Sequence, residues 1–178
     1  TVHVALNQLR RVVNEIIKLY GLPAQIVLEV ARDLKNGAQA KKEIAERQRK
    51  EKDLNDARRK KLEENGIAIT SESMLRMRLW EELAEDPAAR CCVYTGEHIS
   101  FARLFGDDVE IEHILPVSRT LDDSPANKTI VLRRANRDKG NRSSPFEAFN
   151  RRTGYNWPEI LRRAEKLPRN KKWRFAED

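Results

Sequence analysis

The sequence predicts an α+β fold that is mostly helical, with a small two-stranded sheet and flanking helices. Three observations carry this. Apolar residues recur at three- and four-residue steps in the first twenty residues and again over 74–83, the pattern of one-sided helices. Two short β-branched runs, 109–115 and 129–132, flank a loop rich in Asp, Ser and Pro. Capping residues followed by Pro and Glu mark further helix starts downstream.

In chain order, Leu6, Leu9, Val13, Ile16 and Tyr20 lay an apolar stripe along a helix over 3–20 that Gly21 can end. After Pro23, the run Gln25 to Val30 reads as a buried strand with Glu29 embedded in it. Between Lys41 and Glu64, seventeen of 24 residues are charged, ten basic and seven acidic, which describes a solvated connector helix ending at Gly66. Thr70 or Ser71 caps a helix carrying Met74, Leu75, Leu79, Trp80 and Leu83 before Pro87, and here the core begins. Ser100 opens a short helix through Phe105, and Gly106-Asp107-Asp108 turns the chain into the strand Val109 to Leu115. Asp122-Asp123-Ser124-Pro125 forms a loop, Thr129 to Leu132 a second strand, and Ala135 to Gly140 a polar helical or turn segment. Ser144-Pro145-Phe146-Glu147 closes a capping box on a helix that Gly154 stops, and Asn156 caps the next helix up to Leu167-Pro168. Segment 168–178 reads as a basic exit strand or linker, and Phe146, Phe149, Trp157 and Trp173 are expected to pack.

Charge narrows the function. The chain carries a net +7, whereas Arg133 to Arg174 holds fourteen Lys or Arg against four Asp or Glu, a local +10. A basic surface of this kind attracts a polyanion, because each neutralised phosphate releases counterions. Nucleic acid is the expected partner. Cys91 and Cys92 are the two cysteines. As sequence neighbours they are poorly placed to bridge each other, so no disulfide framework is expected and a reducing cytoplasm fits. With His98 they lack the spacing of a zinc set, and no structural zinc is expected. No apolar run reaches the roughly 18 residues of a membrane span, so no membrane partner is expected and the chain reads as a soluble fragment.

Glu112-His113, Asn127 and Asn136 lie within a strand-loop-strand-helix unit rich in Lys and Arg. A carboxylate and an amide oxygen can hold a hard cation such as Mg2+, and a neutral histidine can take a proton from water, which is the chemistry of phosphodiester hydrolysis. Strand neighbours point to opposite faces, so Glu112 and His113 share a site only if the strand ends there, as Pro116 suggests.

The stretch Glu110-Ile111-Glu112-His113-Ile114-Leu115-Pro116, then Ser118, Asp122-Asp123-Ser124, Asn127-Lys128 and Ala135-Asn136-Arg137-Asp138-Lys139-Gly140-Asn141, resembles the HNH motif of CRISPR type II effector nucleases. Cys92-Val93-Tyr94-Thr95-Gly96 is similar to the segment preceding that motif in the compact II-C subgroup, and Ile26 to Lys35 resembles the second RuvC motif of the same enzymes. The resemblance implies a RuvC-like segment at 1–35, a charged connector helix at 36–66, an HNH nuclease domain at 67–167 and a basic exit linker at 168–178. It implies a ββα-metal core at 109–141 and hydrolysis of the target DNA strand paired with a guide RNA, so its partners are that heteroduplex, the guide RNA and the remaining domains of a parent nuclease.

It also implies roles. His113 is the general base, Asn127 holds the motif loop and the histidine, and Glu112 and Asn136 are ligands of Mg2+, with Mn2+ able to substitute. Glu112 stands where the family usually has Asp, which displaces the ion or the loop somewhat. Lys128, Arg133, Arg134, Arg137, Lys139 and Arg142, with the arginine pairs at 151–152 and 162–163, face phosphate, since guide pairing reads sequence and such proteins meet backbone and shape. Glu29 is a ligand of a separate RuvC site whose other carboxylates and histidine come from segments absent here, so no RuvC activity is expected. A free-standing HNH nicking enzyme and a non-catalytic nucleic-acid-binding or regulatory module are the alternatives.

Overall fold

The computed structural model describes residues 2–27 and 38–177. They fall into two compact units divided inside a charged helix, Thr1–Glu46 and Arg47–Asp178. In the first, α1 spans Val2–Tyr20 and Gly21 follows it with φ +82, a left-handed conformation that glycine adopts without steric cost. The stripe is shallow: Leu9 and Val13 are half-buried, whereas Leu6, Ile16 and Tyr20 are exposed. Gln25 to Val27 is not strand, and the rest of the expected strand, with Glu29 and most of the RuvC-like motif, lies outside the described residues.

Helix α2, Ala38–Glu64, occupies the stretch expected to be a solvated connector, but it is not solvated throughout. Arg58 and Leu62 are buried, and Arg58 donates to Glu81 at 2.7 Å, so the last turns of α2 belong to the second unit. Thr70 then caps α3, Ser71–Glu81, in a capping box closed by Ser73. Trp80 lies in the centre of the core. Its Nε1 donates to the Ile99 carbonyl at 2.6 Å, and the Arg90 guanidinium covers its ring at 4.1 Å.

The turn from Cys92 to Gly96 holds Tyr94 against Phe149, ring centroids 4.6 Å apart. Arg163 donates to the Val93 and Tyr94 carbonyls at 2.7 and 3.0 Å, and a Cβ on Gly96 would meet that guanidinium at 3.0 Å. Arg163 is thus a structural clamp rather than a phosphate-facing charge. Ser100 caps the one-turn helix α4, Phe101–Leu104.

Strand β1, Val109–His113, pairs antiparallel with β2, Lys128–Leu132, in the register Glu112↔Thr129 and His113↔Lys128. The connection carries the one-turn helix α5, Val117–Thr120, and the Asp122–Asn127 loop. Helix α6, Arg133–Lys139, follows β2 directly and packs on the sheet, giving the expected strand-loop-strand-helix order.

Ser144 caps α7, Pro145–Phe149, which ends before the expected Gly154, while Asn156 caps α8, Trp157–Ala164. Segment 168–178 differs from the expected exit linker. It forms α9, Arg169–Lys172, and a further turn through Phe175, with Lys171, Arg174 and Phe175 buried. Lys171 donates to the Lys128 carbonyl at 2.6 Å and pairs with Glu82, while Arg174 meets Asp122 at 2.8 Å. Trp173, expected to pack, is 60% exposed, because Phe175 takes the core position instead.

Candidate active site

The end of β1 solves the problem of two neighbouring site residues on one strand. His113 is its last residue, and Glu112 and His113 both line a cleft of about 500 Å3 with Val117, Ser118, Asn136, Lys139 and Arg142. Glu112 faces α6 and the interior; His113 turns toward the loop and is partly exposed.

On the loop side, His113 Nε2 lies 2.7 Å from Asp123 Oδ1, which also meets Lys128 Nζ at 2.7 Å. These two contacts, Lys128 first, hold the Asp123 carboxyl below its ordinary value. An ionised carboxylate only accepts, so Nε2 is the donor to Asp123, an arrangement that in a neutral ring leaves Nδ1 as the proton acceptor. Asn127, fully buried, fixes the loop: Oδ1 accepts from Leu115 N at 2.9 Å, and Nδ2 donates to the Leu115 and Asp122 carbonyls at 2.9 and 2.8 Å. Asp122 is pushed down to about 2, through hydrogen bonds from Ser124 before that from Arg174.

On the helix side, residues two apart on β1 meet residues three apart on α6, because the two spacings, roughly 6.7 Å along a strand and 4.5 Å along a helix, are close enough to align side chains. Asn136 Nδ2 donates to Glu110 Oε2 at 2.8 Å, and Lys139 Nζ lies 2.5 Å from Glu112 Oε1 and donates to the His113 carbonyl at 3.0 Å. Burial pushes the Glu112 carboxyl up, against the opposing pull of Lys139.

Lys139 is placed differently from expectation: it is 4% exposed, with its ammonium at the wall of the cleft engaged by Glu112 and the His113 carbonyl. Lys128 is spent on Asp123, Arg133 pairs with Glu110 at 2.6 Å, and Arg134 pairs with Glu97. Arg137 and Arg142 are exposed and have no carboxylate partner among the described residues. Arg152 pairs with Asp138 at 2.7 Å and Arg162 with Glu159 at 2.8 Å. Sequence reasoning missed Glu110 and Asp123 as site residues, although both sit inside the quoted motif.

The family described as HNH endonuclease matches residues 92–145. Residues 92–145 thus carry an HNH endonuclease domain. It is 37% identical over 157 residues, 82% of its length, to the CRISPR-associated endonuclease Cas9 1 of Streptococcus thermophilus. It is 35% identical over 172 residues, 96% of its length, to Cas9 of Campylobacter jejuni. The chain spans 13% and 17% of those relatives. A crystal structure of Streptococcus thermophilus Cas9 in complex with the GGAA PAM matches 94% of this chain and 17% of that one, at 32% identity and TM-score 0.68. The type II-C Cas9 of Actinomyces naeslundii shares the fold, with TM-score 0.58 at 17% identity, covering 97% of this chain and 18% of that one. The HNH domain is thus a nuclease, and no helix among the described residues is long and apolar enough to cross a membrane.

The donor chemistry of the cleft suits a hard divalent cation. Glu112 supplies a buried carboxylate, and Asn136, its Nδ2 spent on Glu110, keeps an amide oxygen to offer. Both line the same cleft, so the residues fit Mg2+.

Proposed function

We propose that this HNH domain hydrolyses the DNA strand paired with a guide RNA in a type II CRISPR effector, acting together with the guide RNA and the remaining domains of that nuclease. The observation that carries the reading is His113, held at Nε2 by Asp123 beside a cleft that contains Glu112 and Asn136. Identities of 35–37% to Cas9 enzymes over most of the chain support it.

In this reading His113 Nδ1 takes the proton of the attacking water, and Asp123 stabilises the imidazolium that forms. Asn127 fixes the loop bearing Asp123 and so acts as a positioning residue. Glu112 and Asn136 hold Mg2+, with Mn2+ able to substitute; when bound, the ion neutralises charge on the scissile phosphate. Arg137 and Arg142 meet the backbone of the strand. The domain at 67–167 is the nuclease unit, 1–35 contributes to a separate RuvC site through Glu29, and the cellular setting is a prokaryotic cytoplasm.

The test is nicking of supercoiled DNA and of a guide RNA-DNA heteroduplex with Mg2+ or Mn2+, by the parent chain, His113→Ala and Glu112→Asp. The expected result is metal-dependent nicking that falls at least about a hundredfold in His113→Ala and rises in Glu112→Asp. Nicking that survives in His113→Ala would sink the reading, whereas DNA binding without nicking in all three would mean that the remaining domains are required or that the chain is a non-catalytic nucleic-acid-binding module.

A further inference from the structure

We infer that Lys139 is the resident counter-ion of Glu112, a built-in cation that holds the carboxylate in place without metal and weakens the affinity of the site for a divalent ion. The inference rests on the proposed metal role of Glu112 and goes beyond it.

Charged side chains are almost never this enclosed unless paired. Lys139 is 4% exposed and Glu112 5%, and their charged atoms lie 2.5 Å apart. The ammonium also donates to the carbonyl of His113, the last residue of β1, so one side chain pins both the carboxylate and the strand end that presents the histidine. The helix dictates this placement. Asn136 and Lys139 share one face of α6, so Lys139 covers Glu112 when Asn136 covers Glu110.

An enclosed carboxylate without a counter-charge is costly, and Lys139 offsets part of that cost. The same proximity works against a second cation. A divalent ion ligated by Glu112 has to share the carboxylate with a positive charge in a partly dry site, where like-charge repulsion over a few ångströms is large. Lys139 is therefore a positioning residue for Glu112 and for the end of β1, and it tunes metal affinity from inside the protein.

The experiment titrates Mn2+ alone into the whole chain at pH 8, read by calorimetry and by the electron paramagnetic resonance signal of free Mn2+. It compares the parent with Glu112→Gln, Lys139→Met, Lys139→Gln and Lys139→Arg, each checked by thermal melting in EDTA. Lys139→Gln keeps a donor for the His113 carbonyl while removing the charge, so it carries the test if Lys139→Met does not fold.

Both neutral variants should bind Mn2+ about tenfold more tightly than the parent, melt lower in EDTA, and gain more from Mn2+ than the parent does. Lys139→Arg should bind like the parent, and Glu112→Gln should lose binding. Neutral variants that bind no more tightly than the parent, while Glu112→Gln abolishes binding, would overturn the inference and leave the metal reading standing. Binding that persists in Glu112→Gln would remove the metal role of Glu112 and the inference with it.

Discussion

The two sides of the β1 terminus are built on opposite principles. Toward the loop, His113 meets an exposed carboxylate, Asp123, that Lys128 and the histidine itself keep ionised. Toward the helix, Glu112 meets Lys139 in an enclosed pair, and burial pushes its carboxyl the other way. Adjacent residues with opposite environments can serve different tasks, because each environment sets a different protonation bias. In the proposed function, one side handles a proton in contact with water and the other supplies a carboxylate to a cation. Strand alternation, an obstacle to a shared site in the sequence, is what separates the two tasks.

The sharpest way to break this division is at Asn127, which ties the loop to the strand end. Asn127→Ala removes three hydrogen bonds from a fully buried residue and should cost about 2–4 kcal/mol of stability in denaturant unfolding, with loss of nicking. Stability within 0.5 kcal/mol of the parent would mean that the loop is held elsewhere.

A smaller effect, confined to one side, is expected from Asp123→Asn. Nicking should fall roughly tenfold to a hundredfold as the histidine loses its ionised partner, while the melting temperature stays within a few degrees. A melting temperature that fell in step with activity would erase the distinction between the sides.

The smallest expected effect is a titration. Asp122 is depressed from 3.8 to about 2, so its contribution to stability is fully present above about pH 4 and is lost as pH falls through about 2. In Arg174→Gln the Asp122 value, read by carboxyl carbon NMR, should rise only part of the way, because hydrogen bonds from Ser124 are the larger cause.

Features written in local chemistry are the ones that the sequence makes legible. Thr70, Ser100, Ser144 and Asn156 cap the helices expected of them, since a cap needs only its next three residues. The two strands and the helix after them follow from β-branching and turn residues in the same way. The α7 helix is the exception, ending at Phe149 well short of Gly154, so the glycine that looked like a stop is not at its end.

The misplaced residues are basic ones read as solvated. Arg58, Lys139, Lys171 and Arg174 are all buried, and their acidic partners, Glu81, Glu112, Glu82 and Asp122, lie far away in sequence. A non-local ion pair leaves no periodicity or spacing to read, so composition counted these charges as surface. Glu110 and Asp123 escaped notice for a related reason: each acts through a neighbour, Asn136 or His113, and nothing in residue type alone distinguishes a supporting carboxylate from a solvated one.

The packing of the last ten residues has a practical consequence for anyone who transplants this nuclease module into another protein. A boundary drawn after Leu167 looks safe by composition, but it strips Glu82 and Asp122 of their cations, takes a donor from the Lys128 carbonyl and opens the core at Phe175. The portable unit runs through Phe175, and a graft cut shorter would be expected to arrive with its histidine loop slack.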